Sequence, residues 1–344
     1  MESLDKFDLK FLVELEKDSR QPISNIAKTL KTSQQVLSYR LANLEKKEII
    51  LGFYTVINFV KLGYTSYRTM IRLSNMSPKM EIKLINYLKE NGNVSYLAEC
   101  TGHWDLIVDY LARNIVQYYC FLKDLRAEFP ENVSNIDVLT TLENIYFGRD
   151  YFAKKYREIN KKSFICSEDL TPLKLDSIDL KVLFAISKNA RVGSVEVAGI
   201  VDTSPNTIIY RIKELQEKNI IEGFKPHLNI EKTGRIAYKS LIKFNNINES
   251  QEEELITYLQ NNMCVFDITK VIGYWDFEID FEVQSTDDMI DFTRLIRDKF
   301  RDLIKEFETT PIHKEHLFNY FPGDLLDTFK KIKSKPVDIK KISK

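Results

Sequence analysis

Two short stretches carry side chains able to read a polyanion. The first is Ser33-Gln34-Gln35, followed by Ser38 and Arg40. The second is Ser204-Pro205-Asn206-Thr207, followed by Arg211 and Lys213. A carboxamide presents a donor and an acceptor side by side, the arrangement that pairs bidentately with an adenine edge in a major groove. Gln34, Gln35 and Asn206 are therefore candidate base readers, with Thr207 beside them. Ser38 and Ile209 occupy one matched position, as do Ala42 and Lys213, so the two stretches differ in their reading residues. Arg40 and Arg211 are candidates for phosphate contact, and equally for an arginine that bridges core and backbone. Lys28, Lys31, Arg20, Lys46 and Lys47, and in the second stretch Lys188, Arg191, Lys213 and Lys218, complete the phosphate candidates. The alternative for all of them is ordinary surface polarity.

The elements that must position these residues are legible around them. Ile23 to Leu30 is a short helix, and Lys31-Thr32-Ser33 a tight turn with Ser33 at an N-cap position. Gln34 onward is a second amphipathic helix with Val36, Leu37, Leu41 and Leu44 at helical spacing. Ser194 to Val201, Ser204 as cap, Pro205 at the first helical position, and Ile208, Ile209, Ile212 and Leu215 repeat the pattern. The leucines and isoleucines are expected in the core. Asp5 and Asp176 open a preceding helix with an acidic first turn. Gly52-Phe53-Tyr54 and Gly223-Phe224-Lys225 are expected to form a wing hairpin in each unit. Two helix-turn-helix units make DNA binding the leading reading.

The units belong to a longer repeat. A shift of 171 residues superposes Leu4-Asp5 on Leu175-Asp176, Arg20 on Arg191, Tyr39-Arg40 on Tyr210-Arg211 and Ile49-Ile50 on Ile220-Ile221. Far downstream it brings Gly102, Trp104-Asp105 and Asp109 onto Gly273, Trp275-Asp276 and Asp280. A period this long excludes a solenoid and reads as a duplicated two-domain subunit. After each helix-turn-helix the pattern runs strand, helix, strand, strand, helix, strand. In the first half these are Ser66 to Leu73, Pro78 to Glu90, Val94 to Cys100, Leu106 to Leu111, Val116 to Phe129 and Ile136 to Phe147. The fold class is therefore α+β, a tandem repeat of a winged helix-turn-helix followed by a ferredoxin-like βαββαβ sandwich. Such a sheet has one helix-free face, which is often buried against another copy. The expected boundaries are 1–60 and 61–148, a basic linker 149–174, then 175–231 and 232–321, and a Lys-rich tail 322–344.

Composition sets limits. The 344 residues are 44% hydrophobic and 29% charged, enough for several compact domains, and the formal net charge of 0 gives no global field for a polyanion. Positive charge is instead local, as in the linker and in the seven lysines of residues 330–344. That tail reads as a solvated segment or as a phosphate-contacting arm. Cys100, Cys120, Cys166 and Cys264 are widely spaced, which suits buried free thiols in a reducing cytosol. No apolar run approaches the length of a membrane span, so a cytoplasmic protein with no membrane partner is expected. Of the four histidines, His313-x-x-His316 is the only cluster, too few ligands for zinc. No cofactor, no metal and no catalytic residues are expected.

With these residues in place, each half resembles the Lrp/AsnC family of leucine-responsive and asparagine-responsive regulators. The carriers are Leu-Asp-x-x-Asp-x-x-x-Leu, Arg20, Ala27, Ser33, Arg40-Leu41, Leu44, Ile49-Ile50-x-Gly-Phe, Gly63 and Thr101-Gly102-x-x-Asp105. The resemblance spans residues 4–147 and 175–318. It implies a transcription regulator that binds double-stranded DNA, self-associates through its ferredoxin-like domains and takes small-molecule effectors, often amino acids, near the Gly-x-x-Asp turn. Carried over, the effector positions are Thr101, Gly102, His103 and Asp105, with Gly273 and Asp276 in the second half. The second turn begins Ile272-Gly273 and lacks the threonine, which weakens that site. The duplication implies that one chain acts as a pseudo-dimer. Two alternatives stand beside this reading. One is an architectural DNA-binding protein without specific readout. The other is an enzyme similar to the sirohaem decarboxylases, which carry His-Asn-Tyr-x-Arg near the second sheet strand. This chain has Val94-Ser95-Tyr96-Leu97 and Val265-Phe266-Asp267-Ile268 there.

Overall fold

A computed structural model describes residues 4–153, 162–164 and 172–325. Helices α1 (Lys6–Lys17), α2 (Ile23–Thr29) and α3 (Gln34–Lys46) lead into strand β1 (Ile50–Ile57). Then come β2 (Thr65–Leu73), α4 (Pro78–Glu90), β3 (Val94–Cys100), β4 (Leu106–Ala112), α5 (Ile115–Glu128), β5 (Val133–Tyr146) and the short β6 (Lys162–Phe164). The second half repeats the order as α6 (Ser177–Lys188), α7 (Ser194–Val201), α8 (Pro205–Glu217), β7 (Ile221–Leu228), β8 (Ile236–Phe244), α9 (Glu249–Asn261), β9 (Val265–Ile272), β10 (Phe277–Val283), α10 (Thr286–Lys299) and β11 (Ile304–Phe318). The duplicated α+β architecture is as the sequence implies. The expected helix from Tyr151 to Ile159 begins as a single 3₁₀ turn, Asp150–Phe152, and its remainder lies outside the described residues, as do Cys166 and the lysines of 330–344.

Local chemistry explains where the elements start. Asp5 and Asp176 each form a capping box with the acid three residues on, Asp8 and Asp179. Gly63 and Gly234 end matched 3₁₀ turns at φ of 82° and 80°, a backbone that L side chains rarely adopt.

The wing expectation is corrected. No hairpin forms within either unit. Instead β1 pairs antiparallel with β7 of the other half, Phe53 opposite Pro226 and Thr55 opposite Phe224. The two helical units also share one hydrophobic core, in which Phe11, Leu12 and Leu37 lie in the same cluster as Leu183, Ile186 and Ile208. Arg20 Nη1 donates to the Ala190 carbonyl at 2.5 Å, and Arg191 Nη1 donates to that of Ser19. This pair of reciprocal bonds across the unit boundary removes both arginines from the phosphate candidates.

The ferredoxin-like sheets join edge to edge at two seams, β3 to β11 and β5 to β9, all pairings being antiparallel. With β2 paired to β5, the order β2-β4-β3-β11-β8-β10-β9-β5 closes on itself as an eight-stranded ring, with β6 appended outside. The helix-free faces expected to meet another copy therefore meet each other inside one chain. Strand alternation sorts the residues. On β10, Phe277, Ile279, Phe281 and Val283 face helices α9 and α10 in one core. Glu278, Asp280 and Glu282 between them point into the ring. The ring interior has an apolar section built on Met70, Leu139, Leu241, Val271 and both tryptophans, Trp104 and Trp275. Next to it lies a polar chamber.

Candidate nucleic-acid interface and interior chamber

Serine caps set the leading end of each candidate recognition helix. Ser33 Oγ accepts from the Val36 amide at 3.2 Å, and Ser204 Oγ from that of Thr207 at 3.1 Å. Beyond the caps, Gln34, Gln35 and Ser38 are exposed on α3, and Asn206 and Lys213 on α8, with Thr207 half-buried. Leu37, Leu44, Ile208, Ile212 and Leu215 are buried and fix the opposite face. Two apolar residues depart from the core assignment. Ile209 is 58% exposed and Val36 43% exposed. Each sits beside a buried neighbour, Ile208 or Leu37, about 100° round the helix from it, and so falls off the inward stripe. Tyr39 and Tyr210 are also exposed, at matched positions. The repeat of Tyr-Arg signalled them, but an aromatic in an amphipathic helix reads first as core.

Arg40 and Arg211 take the bridging role. Arg40 Nη1 lies 2.8 Å from Asp5 and 2.6 Å from Asp8. Arg211 Nη1 lies 3.0 Å from Asp176 and 3.1 Å from Asp179. Each arginine clamps the recognition helix to the capping box of the first helix. The Asp8 amide, with Arg40 beside it, holds the Asp5 carboxyl below the ordinary carboxylate range. Lys213 and Lys218 pair along their own helix with Glu217 at 3.6 Å and Glu214 at 3.7 Å. Such exposed pairs are worth about 0–1 kcal/mol and exchange readily for a phosphate. Lys46 and Lys47 are exposed at the C-terminal end of α3, where Lys232 of the other half donates to the Lys47 carbonyl at 3.0 Å.

At the first Gly-x-x-Asp turn, Asp105 Oδ2 accepts from the Leu73 amide at 2.7 Å. Arg72 donates to the Gly102 carbonyl and to that of His103, and Thr101 Oγ1 is 2.9 Å from His313 Nε2. Asp276 repeats the anchor, accepting from the Phe244 amide at 2.8 Å and pairing with Lys243 at 2.9 Å. Both aspartates therefore hold the turns to their sheets. Thr101, Gly102 and His103 remain exposed. The bulky tryptophans are buried beneath, filling the ring rather than an effector pocket. Of the cysteines, Cys100 is buried, with its thiol pushed up to about 12 by burial, whereas Cys120 is exposed and departs from the expectation.

The chamber is a site that the sequence reading missed. It is a cavity of about 100 Å³ whose charged lining is Arg68, Asp109, Arg149, Lys225, Lys239, Asp267, Asp280 and Glu315. Arg68 is bidentate to Asp109, both bonds 2.7 Å, and also touches Glu278. Lys239 lies 3.0 Å from Glu278 and 2.6 Å from Asp280. Arg149 lies 2.8 Å from Glu16 and 2.9 Å from Glu282. Burial is the main cause of a raised pKa at three acids, Asp267 and Glu282 to about 7 and Glu315 upward. The signal was present in the repeat, because 171 residues separate Arg68 from Lys239 and Asp109 from Asp280. A cation in a strand that otherwise reads as apolar, twice at one position, marks an inward charge.

The chain matches the family model described as winged helix-turn-helix DNA-binding at residues 4–50 and again at 175–222. It is 30% identical over 121 residues, 35% of this chain and 80% of the relative, to an uncharacterised HTH-type transcriptional regulator of Pyrococcus abyssi. It is 24% identical to the regulatory protein AsnC of Haemophilus influenzae over 42% of this chain and 95% of that one. Among solved structures, the siroheme decarboxylase NirDL shares the fold across 95% of this chain and 98% of its own, with TM-score 0.59 and 14% identity. No helix among the described residues is long and apolar enough to cross a membrane.

Proposed function

The chain belongs to the Lrp/AsnC family of helix-turn-helix transcription regulators, and from that premise we propose that one polypeptide does the work of a sequence-specific dimer. The observation that carries the reading is the pairing of β1 with β7 over a shared core, with both recognition helices exposed at their leading ends. Two groove-reading helices on a pseudo-twofold frame suit half-sites about 34 Å apart, one duplex turn. Gln34-Gln35 and Asn206-Thr207 offer unlike side chains, so the half-sites are unequal. Lys46, Lys47, Lys213 and Lys218 supply the phosphate contacts. The effector, an amino acid or similar small molecule, is assigned to the first turn, where Thr101, Gly102 and His103 are accessible. Further self-association runs through the outer surfaces of the ferredoxin-like domains, and the site of action is the cytoplasm. Selection of bound genomic fragments tests the reading. A two-part consensus with unequal halves is expected, and uniform coverage would establish the architectural alternative.

The whole-length fold shared with a siroheme decarboxylase keeps one second reading alive, that of an enzyme acting on a tetrapyrrole. Two observations weigh against it. The strand positions expected to carry histidine and arginine hold Ser95, Tyr96, Phe266 and Asp267, which line the chamber. A cavity of about 100 Å³ is also well below the ~300–1,000 Å³ of ordinary ligand sites. A shifted Soret band on mixing the protein with sirohaem would restore the enzyme.

A further inference from the structure

The chamber has a chemistry of its own, independent of DNA reading. Each seam of the ring presents one carboxyl to it. At the β5–β9 seam this is Asp267, 8% exposed, whose Oδ1 accepts from Asn144 Nδ2 at 2.6 Å and from Thr269 Oγ1 at 3.4 Å. At the β3–β11 seam it is Glu315, whose Oε1 accepts from the Tyr96 hydroxyl at 2.9 Å. The repeat relates the two arrangements, since a shift of 171 residues takes Tyr96 to Asp267 and Asn144 to Glu315. The acid has changed strand between the copies, yet each seam keeps one. In both carboxyls the second oxygen meets no donor among the described residues, and neither acid has an ion-pair partner there.

The surrounding charge has a sign. Four cationic heads line the chamber, and four lining carboxyls together with Glu16, Glu278 and Glu282 behind them make seven acids. The cations are engaged with other groups, so the surplus falls on Asp267 and Glu315. Rings of Tyr54, Tyr96, Tyr146 and Phe318 add π faces, Tyr54 and Phe318 stacking at 4.7 Å. No group of three or more His, Cys, Asp or Glu side chains among the described residues converges as a metal site. The chamber's 100 Å³ compares with the ~150 Å³ that admits benzene, which limits a ligand to about six non-hydrogen atoms.

We propose that the chamber binds a small aliphatic amine or diamine, held between the carboxyls of Asp267 and Glu315 on opposite seams of the ring. The ligand's ammonium groups donate to the free carboxylate oxygens, and its methylenes pack on the tyrosine and phenylalanine rings. Because it touches strands of both halves, it ties them together at the pseudo-twofold axis.

The test uses the full chain, with propane-1,3-diamine and propylamine as probes and propane-1,3-diol and propionate as controls. Isothermal titration calorimetry and thermal melting are the readouts. Saturable binding of the amines, with a rise in melting temperature, is expected, and none with the diol or the acid. Asp267→Asn and Glu315→Gln are each expected to weaken diamine binding at least tenfold, and the double variant to abolish it. Equal binding in the double variant, equal binding of the diol, or no saturable amine binding by the wild type would each overturn the proposal. Circular dichroism checks that the variants fold, and if either does not, the diamine-against-diol comparison on the wild type decides. The readout is ligand binding alone, so a negative result leaves the DNA reading standing.

Discussion

At the scale of single residues, the structure separates side chains that read from side chains that hold. Gln34, Gln35 and Asn206 are exposed at capped helix ends, whereas Arg40 and Arg211 are committed to carboxylates of the first helix. The two groups are expected to fail differently. Replacing Gln34, Gln35 or Asn206 with alanine relaxes base preference, costing about 1–3 kcal/mol for each bidentate amide–base pair removed. Replacing Lys46 and Lys47 weakens all sequences alike and lowers the salt slope by ~0.9 for each phosphate no longer neutralised. Arg40→Ala lowers stability by about 1 kcal/mol, because it frees a capped helix from its neighbour, and leaves the salt slope unchanged. Affinities measured across a salt series, on specific and scrambled duplexes, separate the three outcomes. A reduced slope for Arg40→Ala would return that residue to the phosphate contacts.

At the scale of elements, what could be read from the sequence was local and what could not was long-range. Helix α4 and strands β3, β10 and β11 begin and end where periodicity and capping residues place them, since both signals reside in a few adjacent residues. The partner of β1 was not legible. Gly52-Phe53 looks like the start of a wing, and only the fold shows that its ladder runs to β7 of the other half. The seams of the ring depend likewise on pairing between residues more than a hundred positions apart, for which alternation gives no register. Gly273 illustrates the consequence. In sequence it marks a turn, but in the fold a Cβ there would lie 2.9 Å from the Val138 carbonyl oxygen and 2.6 Å from Leu139 Cδ2, across the β5–β9 seam. Gly273→Ala is therefore expected to destabilise by about 1–3 kcal/mol. Gly52→Ala, with nothing within 4 Å, loses far less. Paired thermal denaturation curves measure the difference.

At the scale of the whole molecule, the closed ring places ionisable groups where water does not reach, and stability must then depend on pH. Burial raises Asp267 and Glu282 to about 7, Asp280 adding to the effect on Asp267 while Arg149 opposes it on Glu282. In the unfolded chain both acids return to the ordinary range near 4. The folded state therefore holds more protons between about pH 4 and pH 7, and its stability falls as pH rises through that window. One extra bound proton corresponds to a slope of about 1.4 kcal/mol per pH unit. The contribution is complete below pH ~4 and gone above the folded value of about 7. Other acids act in the opposite sense, since Asp5, held low by the Asp8 amide and Arg40, stabilises only while it is ionised. The contribution of the ring is isolated by comparison with Asp267→Asn, which keeps the shape of the side chain and cannot ionise. Urea denaturation at pH 5 and pH 8 is expected to show the wild type losing more stability than the variant over that interval. Equal losses would mean that the Asp267 carboxyl titrates alike in the folded and unfolded chain, and that the chamber is open to water.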